Sequence, residues 1–171
     1  MARYLVPGVR DGIGIGVEAE RARRFDAHLS ILLVNVDGLG VINSKLGVVA
    51  GDFVLDEIAS LIRSQTRAID VAGRWDREDF IVLSVDKNAF GSVVLAEKLR
   101  RVIADHAFEW IGRHLRVTVS IGVARGMPFD EAQIDALIDS ARHAVLRAKV
   151  AGRNRIEYAV GAGEVIVQVP A

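Results

Sequence analysis

Two short apolar segments, Ile69 to Trp75 and Phe80 to Val85, are separated by only four polar residues, Asp76-Arg77-Glu78-Asp79. Strand-like runs joined that closely read as a hairpin, and a hairpin is antiparallel because a parallel pair needs a long crossover. The segments around it extend the pattern. Glu18 to Ala27 is charged and helix-prone. Ser30 to Val36 (SILLVNV) is apolar and too short for a helix, which predicts a buried strand. Gly38 to Gly47 reads as a short helix closed by Gly47. Asp52 reads as the N-cap of a second helix, with Val54, Leu55, Ile58, Leu61 and Ile62 on one face. Val94, Leu95, Leu99, Val102 and Ile103 recur at helical spacing, and Leu115 to Ala124 alternates like a strand. Ile134, Leu137, Ile138, Ala141, Val145 and Ala148 form an amphipathic stripe that stops at Gly152. Ile156 to Val160 reads as a closing strand and Glu164 to Val169 as a further one. The class is α+β, a central, mostly antiparallel sheet flanked by helices, as in a ferredoxin-like palm.

A chain of 171 residues suits one domain and buries roughly two-thirds of its unfolded surface. The expected division is a flexible N-terminal segment over 1–17, the domain over 18–160 and a C-terminal tail over 161–171. The absence of Cys excludes a disulfide scaffold, a Cys-zinc site and a thiolate nucleophile. Lys and Arg balance Asp and Glu at 22 each, which argues against bulk attraction to nucleic acid or an anionic membrane. No apolar run approaches the ~18 residues of a membrane span. MARYLVPGVRD lacks the apolar region and cleavage site of a signal peptide, so a cytoplasmic location is expected. His28, His106, His114 and His143 show no metal-binding spacing. Gly14, Gly16 and Ala19, with Asp37 about 20 residues on, fit a dinucleotide fingerprint. No buried strand runs into Gly14, so Gly8 to Gly16 reads instead as a lead-in segment.

Four ordered blocks carry a resemblance to a known family. Asn35-Val36-Asp37-Gly38-Leu39-Gly40-Val41-Ile42-Asn43, followed by Gly47 and Gly51-Asp52-Phe53-Val54-Leu55, resembles D-x-D-x-F-K-x-I-N…G-H-x-x-G-D-x-x-L of the GGDEF domains, the diguanylate cyclases. Arg74-Trp75-Asp76-Arg77-Glu78-Asp79-Phe80 stands where that family has R-[YW]-G-G-[DE]-E-F. Val117 to Ala124 is similar to V-T-x-S-I-G-V-A, and Ala148 to Asn154 to A-K-x-x-G-R-N. The resemblance implies the GGDEF nucleotidyl-cyclase palm and a reaction that condenses two GTP into cyclic di-GMP with the help of Mg²⁺.

The resemblance also implies where a nucleotide would lie. Asn43 and Asp52 match the guanine-reading pair, and Lys149 and Arg153 the triphosphate contacts. Asn35, Val36 and Glu78 match the metal site, weak or lost here because Asn35 replaces an Asp; Asp37 survives on the same strand face. Asp76 and Arg77 replace the paired glycines, where side chains would fill the nucleotide's space and positive φ becomes costly. Asp79 replaces a Glu ahead of Phe80. Gly40 and Val48 replace a Lys and a His. The signature Asp76 to Phe80 is therefore degenerate, and cyclase activity is expected to be absent or very weak, with Mg²⁺ present only if GTP is still bound.

A second site of the family is kept. Arg67-Ala68-Ile69-Asp70 matches its R-x-x-D inhibitory motif, which binds cyclic di-GMP, and Lys98 and Arg100 supply nearby cations. An Arg holds a phosphate through its fork and a base on its planar face. The expected function is a catalytically impaired module that binds cyclic di-GMP or GTP. It acts with a separate signalling protein or as a homodimer, without nucleic acid. A weakly active cyclase and a nucleotide-free protein-interaction module are the alternatives.

Overall fold

The computed structural model describes residues 13–159. The elements in chain order are α1 (Ile13–Arg24), β1 (His28–Val36), α2 (Leu39–Leu46), α3 (Val48–Gln65), β2 (Val71–Arg74) and β3 (Asp79–Asp86). They continue with α4 (Ala89–Asp105), β4 (Phe108–Trp110), β5 (Arg113–Leu115), β6 (Val119–Gly126), α5 (Glu131–Val150) and β7 (Ile156–Tyr158). The main sheet has the order β2-β3-β1-β6-β7. All its pairs are antiparallel except β6 with β7. The α+β class and the mostly antiparallel sheet are as expected.

β1 is the middle strand, and its alternating side chains serve two cores. Leu32, Val34 and Val36 pack with Val54, Ile58 and Ile62 of α3 and Leu99 and Ile103 of α4. Leu29, Ile31 and Leu33 pack on the other face with Ile15, Ala19 and Ala22 of α1 and Ile138, Ala141 and Val145 of α5. Burial on both faces explains why SILLVNV is continuously apolar rather than alternating. Gly122 of β6 lies under α5, where a Cβ would stand 2.0 Å from the Ala141 carbonyl oxygen.

Several boundaries differ from expectation. α1 begins at Ile13 and ends at Arg24, so residues 13–17, including Gly14 and Gly16, are helical rather than lead-in. Its buried face, Ile15, Ala19 and Ala22, makes it part of the fold. α3 begins at Val48 with Gly47 at its N-cap position, so Asp52 lies inside the helix and caps nothing. The strand expected over Leu115 to Ala124 is broken: Leu115 ends the small hairpin β4–β5, and β6 starts at Val119. That hairpin turns through Ile111 and Gly112, both left-handed (φ 46° and 71°). Residues 1–12 and 160–171, with the expected strand Glu164 to Val169, lie outside the described residues. Among the described residues no helix is long and apolar enough to cross a membrane.

Candidate functional site

The register of the sheet builds the first part of the site. Asn35, near the end of β1, lies opposite Asp79, the first residue of β3. The Asn35 side chain donates from Nδ2 to Asp79 Oδ1 at 2.7 Å. A carboxylate only accepts, so the amide nitrogen must face it. The Asn35 oxygen is left buried with no partner in the protein. Val36 donates its N–H to the Glu78 carbonyl at 3.0 Å, while the Glu78 side chain is exposed.

The signature turn is closed by its own chain. Trp75 and Asp76 both donate backbone N–H to the Asp79 carbonyl. Arg74 donates from Nε to the Asp76 carbonyl at 2.7 Å and from Nη2 to the Arg77 carbonyl. Asp76 Oδ1 accepts from the Arg77 N–H. This corrects one expectation. Neither Asp76 nor Arg77 takes a positive φ, a conformation that the non-glycine residues Asp26, Ile111, Arg153 and Asn154 do adopt. The turn has settled into a geometry suited to side chains. The Arg74 guanidinium lies 4.9 Å over the Phe80 ring. Burial lowers its pKa, and the nearby Asp52, Asp56, Asp79 and Asp76 oppose that shift.

These residues do not fit a pair of Mg²⁺ ions. Mg²⁺ prefers several hard oxygens in octahedral array, chiefly carboxylates. Here Asn35 contributes only a neutral amide, its nitrogen bonded to Asp79 and its oxygen buried without charge, and Glu78 stands exposed on the turn. Asp37 is not a free ligand either. Its Oδ1 accepts from Ser120 Oγ at 2.7 Å, and its Oδ2 accepts from Thr118 Oγ1 at 2.8 Å and the Asn154 N–H at 3.1 Å. Among the described residues no group of three or more His, Asp or Glu side chains converges to hold a metal.

The guanine-reading positions are organised by a glycine. Asn43 on α2 lays its amide over Gly51 on α3, where a Cβ would be 1.8 Å from the Asn43 oxygen. That oxygen is buried and has no partner in the protein. Asp52 is exposed next along α3. At the phosphate end, Lys149 is in the last turn of α5, and Arg153 lies past the helix in a left-handed conformation (φ 62°). The turn is tied down by the Arg153 N–H to the Ala148 carbonyl and by the Asn154 bond to Asp37.

Arg67, Asp70 and Lys98 meet in a cleft of about 170 Å³ between β3 and α4, together with Ser84, Asp86 and Gly91. Arg67 and Lys98 are exposed at its mouth. Asp70 accepts from the Arg67 N–H and from Ser84 Oγ, each at 2.9 Å. Arg100 does not join them. It turns away to bond both Glu97 oxygens and, at 2.9 Å, Asn154 Oδ1. Residues two apart on a helix do not share a face, so Lys98 and Arg100 could not both line the cleft. The Arg100 bond, with help from Arg101, holds the Glu97 carboxyl down at about 2. Asp86 and Gly91 have no place in the motifs read from the sequence. The signal available for Asp86 was its position two residues after Ser84 on the same strand face.

Comparison with known proteins identifies the family and the fold. The family profile "Diguanylate cyclase, GGDEF domain" matches residues 14–155. Diguanylate cyclase A of Treponema denticola is 36% identical over 128 residues, 75% of this chain and 34% of that protein. The chain thus spans about a third of that relative's length. The crystal structure of the GGDEF domain of PA1120 (YfiN or TpbB) from Pseudomonas aeruginosa superposes with a TM-score of 0.84 at 24% identity, covering 94% of this chain and 99% of that one. The GGDEF domain of DgcB from Caulobacter crescentus, solved in complex with c-di-GMP, has a TM-score of 0.80 at 21% identity, over 88% and 90% of the two chains. At these identities the two structures establish the fold.

Proposed function

The chain belongs to the diguanylate cyclase GGDEF family, and we propose that it is a catalytically impaired member that binds cyclic di-GMP at the Arg67–Asp70 cleft. The observation that carries this reading is the convergence of Arg67, Asp70 and Lys98 on one cleft. The two cations would neutralise phosphates, the Arg67 plane offers a stacking face, and Val94 and Leu95 give an apolar wall. The bound state of the DgcB domain is consistent with a ligand of this class.

The donor set supports impairment. A neutral amide, Asn35, stands in the metal position where a carboxylate is expected, with its nitrogen held by Asp79, and Arg74 fills the turn with its own guanidinium. Calorimetry with cyclic di-GMP tests the binding; Arg67→Ala abolishes it, and no heat at ~100 μM ligand overturns it. Incubation with GTP and Mg²⁺ tests the impairment; turnover above ~1 per second overturns that part.

One observation favours a second reading, GTP held without turnover. The buried Asn43 oxygen lacks a donor, and a guanine N–H would supply one. Titration with GTP against the Asn43→Ala variant separates this pocket from the Arg67 cleft.

A further inference from the structure

We infer that Arg100 of α4 is a positioning residue for a nucleotide's phosphate chain: with Asp37 it clamps Asn154, and so fixes the strained turn that carries Arg153 beyond Lys149. The assignment rests on the reading in which GTP is held without turnover. Gly152, Arg153 and Asn154 take positive φ in succession, at 116°, 62° and 44°. Glycine adopts that conformation freely and Asn tolerates it, but the Cβ of Arg153 opposes it. Such a backbone persists only where its surroundings over-determine it.

The helix supplies part of the hold. Arg153 donates its N–H to the Ala148 carbonyl at 2.9 Å, and Gly152 to the Lys149 carbonyl at 3.4 Å. Two further bonds reach Asn154 from separate elements. Its N–H donates to Asp37 Oδ2 at 3.1 Å, and its Oδ1 accepts from Arg100 Nη1 at 2.9 Å. Both holders are themselves fixed. Thr118 and Ser120 donate to the Asp37 carboxylate, and Glu97 accepts from Nε and Nη2 of Arg100. The strand β1, the entry to β6 and the helix α4 therefore all bear on one exposed residue, Asn154. The Lys149 and Arg153 side chains, by contrast, make no hydrogen bond or ion pair among the described residues. Two cations free of protein carboxylates, on a backbone locked before the ligand arrives, suit a row of phosphates.

Calorimetry of the full chain with GTP, and with GMP in competition, tests the assignment. Arg100→Gln removes the guanidinium that reaches Asn154. Asn154→Gly removes the acceptor and takes positive φ without strain, so it serves where Arg100→Gln fails to fold. Each variant binds GTP about tenfold more weakly than wild type but binds GMP, which lacks the outer phosphates, as wild type does. Arg100→Lys, which keeps a cationic donor, recovers most of the loss. Amide hydrogen exchange over 152–155 quickens in Arg100→Gln. An equal loss for GMP and GTP marks a general packing role and overturns the assignment. GTP binding within about twofold of wild type in Asn154→Gly overturns it too, and leaves the GTP reading standing. A wild type that does not bind GTP overturns that reading and the assignment together.

Discussion

Asn35 and Asp79 face each other across adjacent strands and share a 2.7 Å hydrogen bond, amide to carboxylate. Restoring a carboxylate with Asn35→Asp sets two like charges at that spacing. The variant is less stable by about 2 kcal/mol in chelator, and millimolar Mg²⁺ or Ca²⁺ restores its melting temperature. Thermal melts with and without the cation check this; wild type shows no such dependence.

Gly51→Ala separates ligand geometry from stability. Its Cβ drives the Asn43 amide from its seat. The amide is the end of a side chain that can swing aside, and Ala favours the helix by about 1 kcal/mol. Denaturant melts should show stability equal to or above wild type, while any GTP affinity measured by calorimetry falls about tenfold.

Gly122→Ala gives the opposite result. The obstacle there is the Ala141 backbone of a packed helix, which cannot swing aside. Stability drops by about 3 kcal/mol, read from the urea midpoint.

Glu97 provides a pH test. Its bonds to Arg100 and Arg101 depress its folded pKa to about 2 from 4.5. A depressed carboxylate pKa contributes stability above the unfolded value, and that contribution is lost as pH falls from about 4.5 towards 2. The pair is partly exposed, so solvent screening leaves about 1 kcal/mol. Glu97→Gln flattens the pH dependence of unfolding in that window.

The parts of the fold visible in the sequence were those specified locally. A long apolar run, a polar four-residue turn and helical stripes marked β1, the β2–β3 hairpin and α3 to α5. The β4–β5 hairpin was not visible because its strands are three residues long and its turn puts a β-branched Ile111 at positive φ, where Asn or Gly would have announced it. The start of α3 was misplaced because Gly47 stands at the cap position and Asp52 looks like a better cap than it. In the site, motif spacing picked Arg67, Asp70 and Lys98, which line one cleft. Arg100, two residues from Lys98 and so on another helix face, bonds Glu97 and Asn154 instead. The Asn35–Asp79 bond and the seat of Asn43 over Gly51 depend on contacts between separate elements, which no local pattern encodes.

The position of β1 also sets the order in which the protein can assemble. Among the described residues it is the first strand in chain order, yet it lies between β3 and β6 and has an apolar face on either side. Both neighbours are synthesised later, and the β6 partner only after α4 and the small hairpin have emerged. The nascent chain must therefore carry its stickiest segment unpaired while about half of the domain is still being made. Synthesis stalled before Val119 would leave that strand with one open edge and at risk of aggregation.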